Sequence, residues 1–213
     1  MKAMILAAGR GERLRPLTDT VPKSLLEVRG RPLIEYHLEA LSRAGFSEIV
    51  INLSWLGNQV RDRLGDGGDF NLAIEYSDEP EALETAGGIV QALPLLGERF
   101  IVVNADIFTD YDFARLKRSD SKAHLVLVEN PQHNPQGDFS LLESTVGNNG
   151  SPRYTFSGIA QYHRSFFDGL VPGKQSLAPL LRAAAQQHQL TGELFSGVWS
   201  DIGTLERLLA SNA

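Results

Sequence analysis

The 213-residue sequence contains no cysteine. No disulfide can staple the chain and no thiolate can bind a metal, so an oxidising compartment is neither required nor excluded. Apolar runs long enough to cross a bilayer are missing too. The apolar stretch at the N-terminus, Met1–Gly9, is too short for a secretory leader and is followed at once by Arg10 and Arg13; it is read as a first strand. Histidine is scarce: His37, His124, His133, His163 and His188 stand singly, without the spacing of a ligand set. The net charge of −6 disfavours nonspecific attraction to nucleic acid. No repeat and no Pro/Gly/Ser linker divides the chain. The expectation is one domain over 1–213, cytoplasmic, with no nucleic-acid or membrane partner, and a monomer or weak dimer.

What is present is ordinary globular composition, with 42% hydrophobic and 22% charged residues. Short Ile/Val-rich runs alternate with helical patterns, the signature of βα units. Strands are expected at Ala3–Ala7, Ile49–Asn52, Ala73–Tyr76, Phe100–Val103, Leu125–Val128, Thr155–Tyr162 and Leu194–Trp199. Helices are expected at Leu33–Ala44, Leu56–Leu64, Ala86–Leu93, Phe113–Lys117, Leu177–Gln187 and Thr204–Leu209, the first bounded by Pro32 and Gly45. The fold class is α/β, with a doubly wound, mostly parallel sheet. Asn130–Ser151, rich in Pro and Gly, reads as an inserted β-hairpin or flap of the kind that covers a ligand.

Charge is uneven. Residues 1–31 carry seven basic and three acidic side chains, a local +4 that leaves −10 elsewhere. The excess coincides with the strongest motif, Leu6-Ala7-Ala8-Gly9-Arg10-Gly11-Glu12-Arg13-Leu14, followed by Pro22-Lys23-Ser24. Small residues let backbone N–H groups approach phosphate oxygens, and Arg13 and Lys23 supply positive charge. Leu14 stands where a dinucleotide fingerprint needs its third glycine, and the Gly-Lys-Ser/Thr of a P-loop is absent. A lone Gly-x-Gly more often marks a tight strand-to-helix turn with solvated arginines, and here the whole stretch to Lys23 carries the signal. Two acids stand at element ends: Asp106 after Phe100–Val103, and Asp201 after Val198-Trp199. Carboxyl ends of parallel strands are where open α/β sheets bind ligands, and two carboxylates suit a hard cation that keeps waters and binds phosphates. Either acid could instead cap a helix.

Four further segments accompany that first motif in order: Leu83–Gly88 (LETAGG), Val103–Asp106 (VNAD), Phe156–Ile159 (FSGI) and Gly197–Thr204 (GVWSDIGT). Together they resemble the sugar-1-phosphate nucleotidyltransferase family along nearly the whole chain. The resemblance implies a Rossmann-like nucleotidyltransferase fold and transfer of a nucleotide from a nucleoside triphosphate to a sugar 1-phosphate. It implies a nucleotide site at Ala8, Gly9, Gly11, Glu12, Arg13 and Lys23, with Thr85 and Gly87 helping to read the base. It implies Mg2+ on Asp106 and Asp201, which with Arg13 and Lys23 form the catalytic set. The sugar phosphate is expected at Asn104 and Gly158, with Gly137, Asp138 and Glu143 of the flap facing sugar hydroxyls.

Within the family, the short chain is most similar to the uridylyl enzymes that act on N-acetylmuramate 1-phosphate; guanylyl enzymes acting on mannose 1-phosphate share its motifs. UTP and the amino sugar phosphate are the expected substrates, and Arg153 is a candidate to face the lactyl carboxylate. Ser24 follows Lys23 where the family usually has proline, and the Glu-Lys pair that many members carry before the Gly158 strand is missing. With no hexapeptide repeat after the last helix, the chain is expected to transfer nucleotides only. A sensing subunit without the chemistry would have lost Lys23, Asp106 or Asp201, and all three are present.

Overall fold

A computed structural model describes residues 1–212. In chain order its strands and helices are β1 (Lys2–Leu6), β2 (Glu27–Val28), β3 (Arg31–Pro32), α1 (Leu33–Arg43), β4 (Glu48–Leu53), α2 (Gly57–Leu64), β5 (Ala73–Asp78), α3 (Glu84–Ala92), β6 (Arg99–Asn104), β7 (Ile107–Thr109), β8 (Ala123–Val128), β9 (Phe139–Leu142), β10 (Thr145–Gly147), β11 (Arg153–His163), α4 (Leu177–Gln186), β12 (Leu190–Phe195), β13 (Trp199–Asp201) and α5 (Leu205–Asn212).

Nine strands form one sheet in the order β5-β4-β1-β6-β11-β8-β12-β10-β9. The first four are parallel, as βα units require. β11 runs antiparallel to both β6 and β8, and β12 lies parallel to β8. The parallel pairing expected of most of the sheet therefore belongs to the first half and to β8–β12, and the rest of the second half is antiparallel. β9 and β10 form the expected hairpin within Asn130–Ser151, and β9 also pairs with the start of β11.

Period-two alternation sends each strand's side chains to two cores. Ala3, Ile5, Ile49, Ile51, Ile101 and Val103 face one layer, where Ile34, Leu38 and Leu41 of α1 and Val60 and Leu64 of α2 pack. Met4, Val50, Phe100 and Val102 face the other, against Ile89 of α3 and Leu177 and Leu181 of α4. Ile34, Leu38 and Leu41 fall at i, i+4 and i+7 and are fully buried, each contributing roughly 1.5–3 kcal/mol of burial. α1 ends at a left-handed Gly45, and the Lys117 ammonium donates to the Ala44 and Gly45 carbonyls at 2.7 and 2.8 Å. Since α1 and α3 leave on opposite faces, the carboxyl ends of β1 and β6 border a crevice.

Two expected elements differ. Leu194–Trp199 is not one strand: β12 ends at Phe195 and β13 begins at Trp199. The chain turns at Gly197, where a Cβ would stand 2.3 Å from the Phe195 ring and 2.6 Å from Asp110 Oδ1. Phe113–Lys117 lies in a 3₁₀ helix, Phe113–Arg118, capped by Asp112 rather than extended into an α-helix. Among the described residues, no helix is long and apolar enough to cross a membrane.

Candidate functional site

The crevice has a volume of about 240 Å3 and is bordered by the β1 loop (Leu6–Gly9, Gly11), Lys23, Asn52, Glu79, the start of α3 and Asn104–Asp106. Its floor is fixed by buried polar contacts. The Ala7 N–H donates to Asn52 Oδ1 (2.8 Å), Asn52 Nδ2 donates to Glu79 Oε1 (2.7 Å), and the Leu83 N–H donates to Glu79 Oε2 (2.9 Å). The phosphate-type loop and the entry to α3 are thereby held at a fixed separation. Beyond β1 the chain turns at Gly11, whose φ of +69° is left-handed; a Cβ there would stand 2.9 Å from Thr18 and 3.2 Å from Lys23. Three short 3₁₀ turns follow, and the third carries Lys23 back beneath the loop. Gly9 has open space around it, as a surface that receives a ligand requires.

Lys23 Nζ donates to Asp106 Oδ2, and both side chains are largely buried. Asp106 follows β6 and enters β7, which pairs antiparallel with β13, so that Asp201 lies opposite Ile107. The Ile202 N–H donates to the Asp106 carbonyl at 2.7 Å. The short β7–β13 ladder thus brings the two aspartates, 95 positions apart in sequence, to adjoining places. Asp201 is paired in turn with Arg207 Nη1, 2.5 Å from each carboxylate oxygen, and with His133 Nε2 at 3.1 Å. Among the described residues, no group of three or more His, Cys, Asp or Glu side chains is arranged to hold a metal.

Of the expected nucleotide residues, Ala8, Gly9, Gly11, Lys23 and Thr85 line the crevice. Glu12 and Arg13 are exposed on the first 3₁₀ turn just outside it. Gly87 is buried on the far side of α3, where a Cβ would stand 2.2 Å from the Gly173 carbonyl oxygen. Its N–H and that of Ala86 donate to the Gln175 carbonyl, which leaves neither for a base. Glu84, at the crevice edge, has a left-handed φ of 59°, a local strain of the kind that clusters at functional sites.

Of the expected sugar-phosphate residues, Asn104 lines the crevice. Gly158 sits at the bulge of β11 with φ +79°, and a Cβ would stand 2.6 Å from Asn104 Nδ2, so the glycine sets where that amide lies. Gly137, Asp138 and Glu143 do not line the crevice. Asp138 accepts from the Phe156 N–H (2.8 Å) and from Asn134 (3.2 Å), bracing the flap on β11. Gly137 packs on Tyr154, and Glu143 is exposed at the hairpin tip. Arg153 is occupied as well: its guanidinium donates to the carbonyls of Gln136, Gly137, Asp138 and Asn148. It staples the flap rather than facing the crevice.

Sequence reasoning missed Asn52, Glu79, His133 and Arg207. A polar Asn52 inside the otherwise apolar run Ile49–Leu53 of β4 was a readable signal; the other three depend on contacts between distant segments.

The family described as nucleotidyl transferase matches residues 2–213. An N-acetylmuramate alpha-1-phosphate uridylyltransferase from Neisseria meningitidis is 54% identical, over 100% of this chain and 97% of its own. A mannose-1-phosphate guanyltransferase from Schizosaccharomyces pombe is 33% identical over 95% of this chain, which spans 61% of that protein. Among solved structures, one from Bacillus anthracis, assigned as a glucose-1-phosphate thymidylyltransferase, superposes with a TM-score of 0.88 at 23% identity, covering 100% of this chain and 94% of that one.

Proposed function

The chain belongs to the nucleotidyl transferase family, and from that membership we propose that it joins UTP to N-acetylmuramate 1-phosphate, forming UDP-N-acetylmuramate and pyrophosphate in cell-wall recycling. The observation that carries this reading is the 54% identity to the Neisseria uridylyltransferase along both chains.

The chemistry is in-line attack by a phosphate oxygen of the sugar 1-phosphate on the α-phosphorus of UTP. A P–O bond forms to the sugar phosphate as the α–β bridging bond breaks, and its electron pair leaves with pyrophosphate. The second pKa of such a phosphate is about 6, so the nucleophile is already largely ionised near neutrality and needs no general base. A crevice bordered by Lys23, Glu79, Glu84 and Asp106 but by no described histidine accords with that. The protein's task is to align two polyanions and offset their repulsion. In this reading the Ala8–Gly11 backbone receives the triphosphate and Thr85 borders the base. Lys23 offsets charge at the α-phosphoryl group, Arg13 holds the departing pyrophosphate, and Asn104 with Gly158 forms the sugar edge.

Asp106 and Asp201 suit a magnesium ion. They offer two hard carboxylates, one just before β7 and one at the end of its partner β13, each matched to a cationic side chain. Since no group of three or more His, Cys, Asp or Glu side chains among the described residues is arranged to hold a metal, water and phosphate oxygens would complete the ion's shell. Bound there, the ion would neutralise phosphate charge across the reacting pair.

The test is to incubate the purified protein with UTP, N-acetylmuramate 1-phosphate and Mg2+, follow pyrophosphate, and identify the product by mass. UDP-N-acetylmuramate in step with pyrophosphate is the expected result; no turnover of this pair contradicts the proposal.

A further inference from the structure

Asp201 is held by Arg207 and His133, and a second guanidinium, that of Arg13, reaches the neighbouring Gly203. Arg207 Nη1 lies 2.5 Å from both of its oxygens and 2.9 Å from His133 Nε2. Arg207 Nε reaches Thr204 Oγ1 at 3.3 Å, but Nη2 has no acceptor among the described residues and points past Gly203. Arg13 approaches the same glycine: a Cβ on Gly203 would stand 2.5 Å from Arg207 Nη2 and 3.1 Å from Arg13 Nη2. The Arg13 guanidinium likewise has no described acceptor. Two groups that stay charged at any ordinary pH thus bring N–H groups without a described acceptor to one buried glycine.

Like charges held so close are costly unless an anion arrives, and the guanidinium fork matches phosphate oxygens. We infer that Arg207 is a phosphate-binding residue parked on Asp201, and that Arg207 and Arg13 together form a corner for a phosphate group of one substrate. The inference rests on the proposed transfer reaction only for which phosphate this is, the terminal end of the triphosphate or the sugar 1-phosphate. Neutralising Asp201 releases Arg207 toward that corner. Gly203 is the residue that leaves room for both guanidinium groups.

The test is calorimetric titration of the full chain in EDTA with inorganic pyrophosphate and, separately, inorganic phosphate, with thermal unfolding as a check on each variant. Asp201→Asn, which frees Arg207, is expected to bind pyrophosphate several-fold more tightly than the wild type. Adding Arg207→Ala to Asp201→Asn is expected to weaken binding at least tenfold, and Arg207→Lys in the same background to weaken it less. Equal affinity in Asp201→Asn with and without Arg207 overturns the inference. In turnover, a KM increase for the triphosphate in Arg207→Lys assigns the corner to the triphosphate, and one for the sugar phosphate assigns it to that substrate; no change in either KM contradicts the inference. Arg207-dependent anion binding in a protein that does not turn over UTP would leave this inference standing and remove the uridylyl reading.

Discussion

Gly88 leaves the space in which the Glu79 carboxylate sits: a Cβ at Gly88 would stand 2.5 Å from Glu79 Oε1 and 2.8 Å from Asn52 Nδ2. Both neighbours are almost fully buried and bonded on two sides, so neither can swing away. Gly88→Ala is therefore expected to destabilise the fold by about 1–3 kcal/mol through overpacking. It should also raise the KM for the triphosphate, since Ala7 and Leu83 are positioned by the same pair. Urea unfolding and steady-state kinetics on the variant check this; unchanged values in both would contradict the account of the crevice floor.

Lys23 and Asp106 are each other's partners, yet their removal should have different signatures. Asp106→Asn and Asp201→Asn are expected to lower turnover by orders of magnitude with little change in folding, since each takes a charge from a site with few ligands. Lys23→Ala should depress kcat by roughly 10²–10³ while changing triphosphate affinity less, because it acts on charge that builds in the transition state. Near-normal turnover of either aspartate variant at limiting magnesium would remove the metal assignment. An unaltered kcat in Lys23→Ala with weaker binding would reassign Lys23 to ground-state holding.

His37 provides a pH signature. Burial behind β7 lowers its pKa from 6.5 to about 4, so the folded protein keeps it neutral while the unfolded chain protonates it below about 6.5. The folded pKa is depressed, so the stability this neutral state confers is complete above about 6.5 and lost as pH falls toward about 4. The total is roughly 3 kcal/mol at 1.36 kcal/mol per unit. His37→Gln cannot be protonated in this range. The stability gap between wild type and variant should shift in the variant's favour by about that amount between pH 7 and 4. A gap that does not vary with pH would contradict the burial argument.

The first half of the chain was legible because its signals are local. Alternating apolar strands, Pro32 and Gly45 at the ends of the first helix, and Gly11 at a left-handed turn each act within a few residues. Asp106 and Asp201 were legible as acids at element ends, but their adjacency depends on the β7–β13 ladder. Both strands are three residues long, too short for periodicity to register. The flap hairpin was readable from its Pro and Gly content. What Asp138 and Arg153 do there was not, because both are occupied by backbone groups of the flap and the adjoining β11, and a side chain's partner is invisible in composition. Gly87 was read as a base contact, and its N–H instead donates to the Gln175 carbonyl, 88 positions away.

The measurement closest to the central claim is the ratio of kcat/KM for UTP with N-acetylmuramate 1-phosphate to that for GTP with mannose 1-phosphate, in one enzyme preparation with saturating Mg2+. The account predicts a large preference for the uridylyl pair, with UDP-N-acetylmuramate accumulating as pyrophosphate is released. Faster turnover of GTP with mannose 1-phosphate would contradict it.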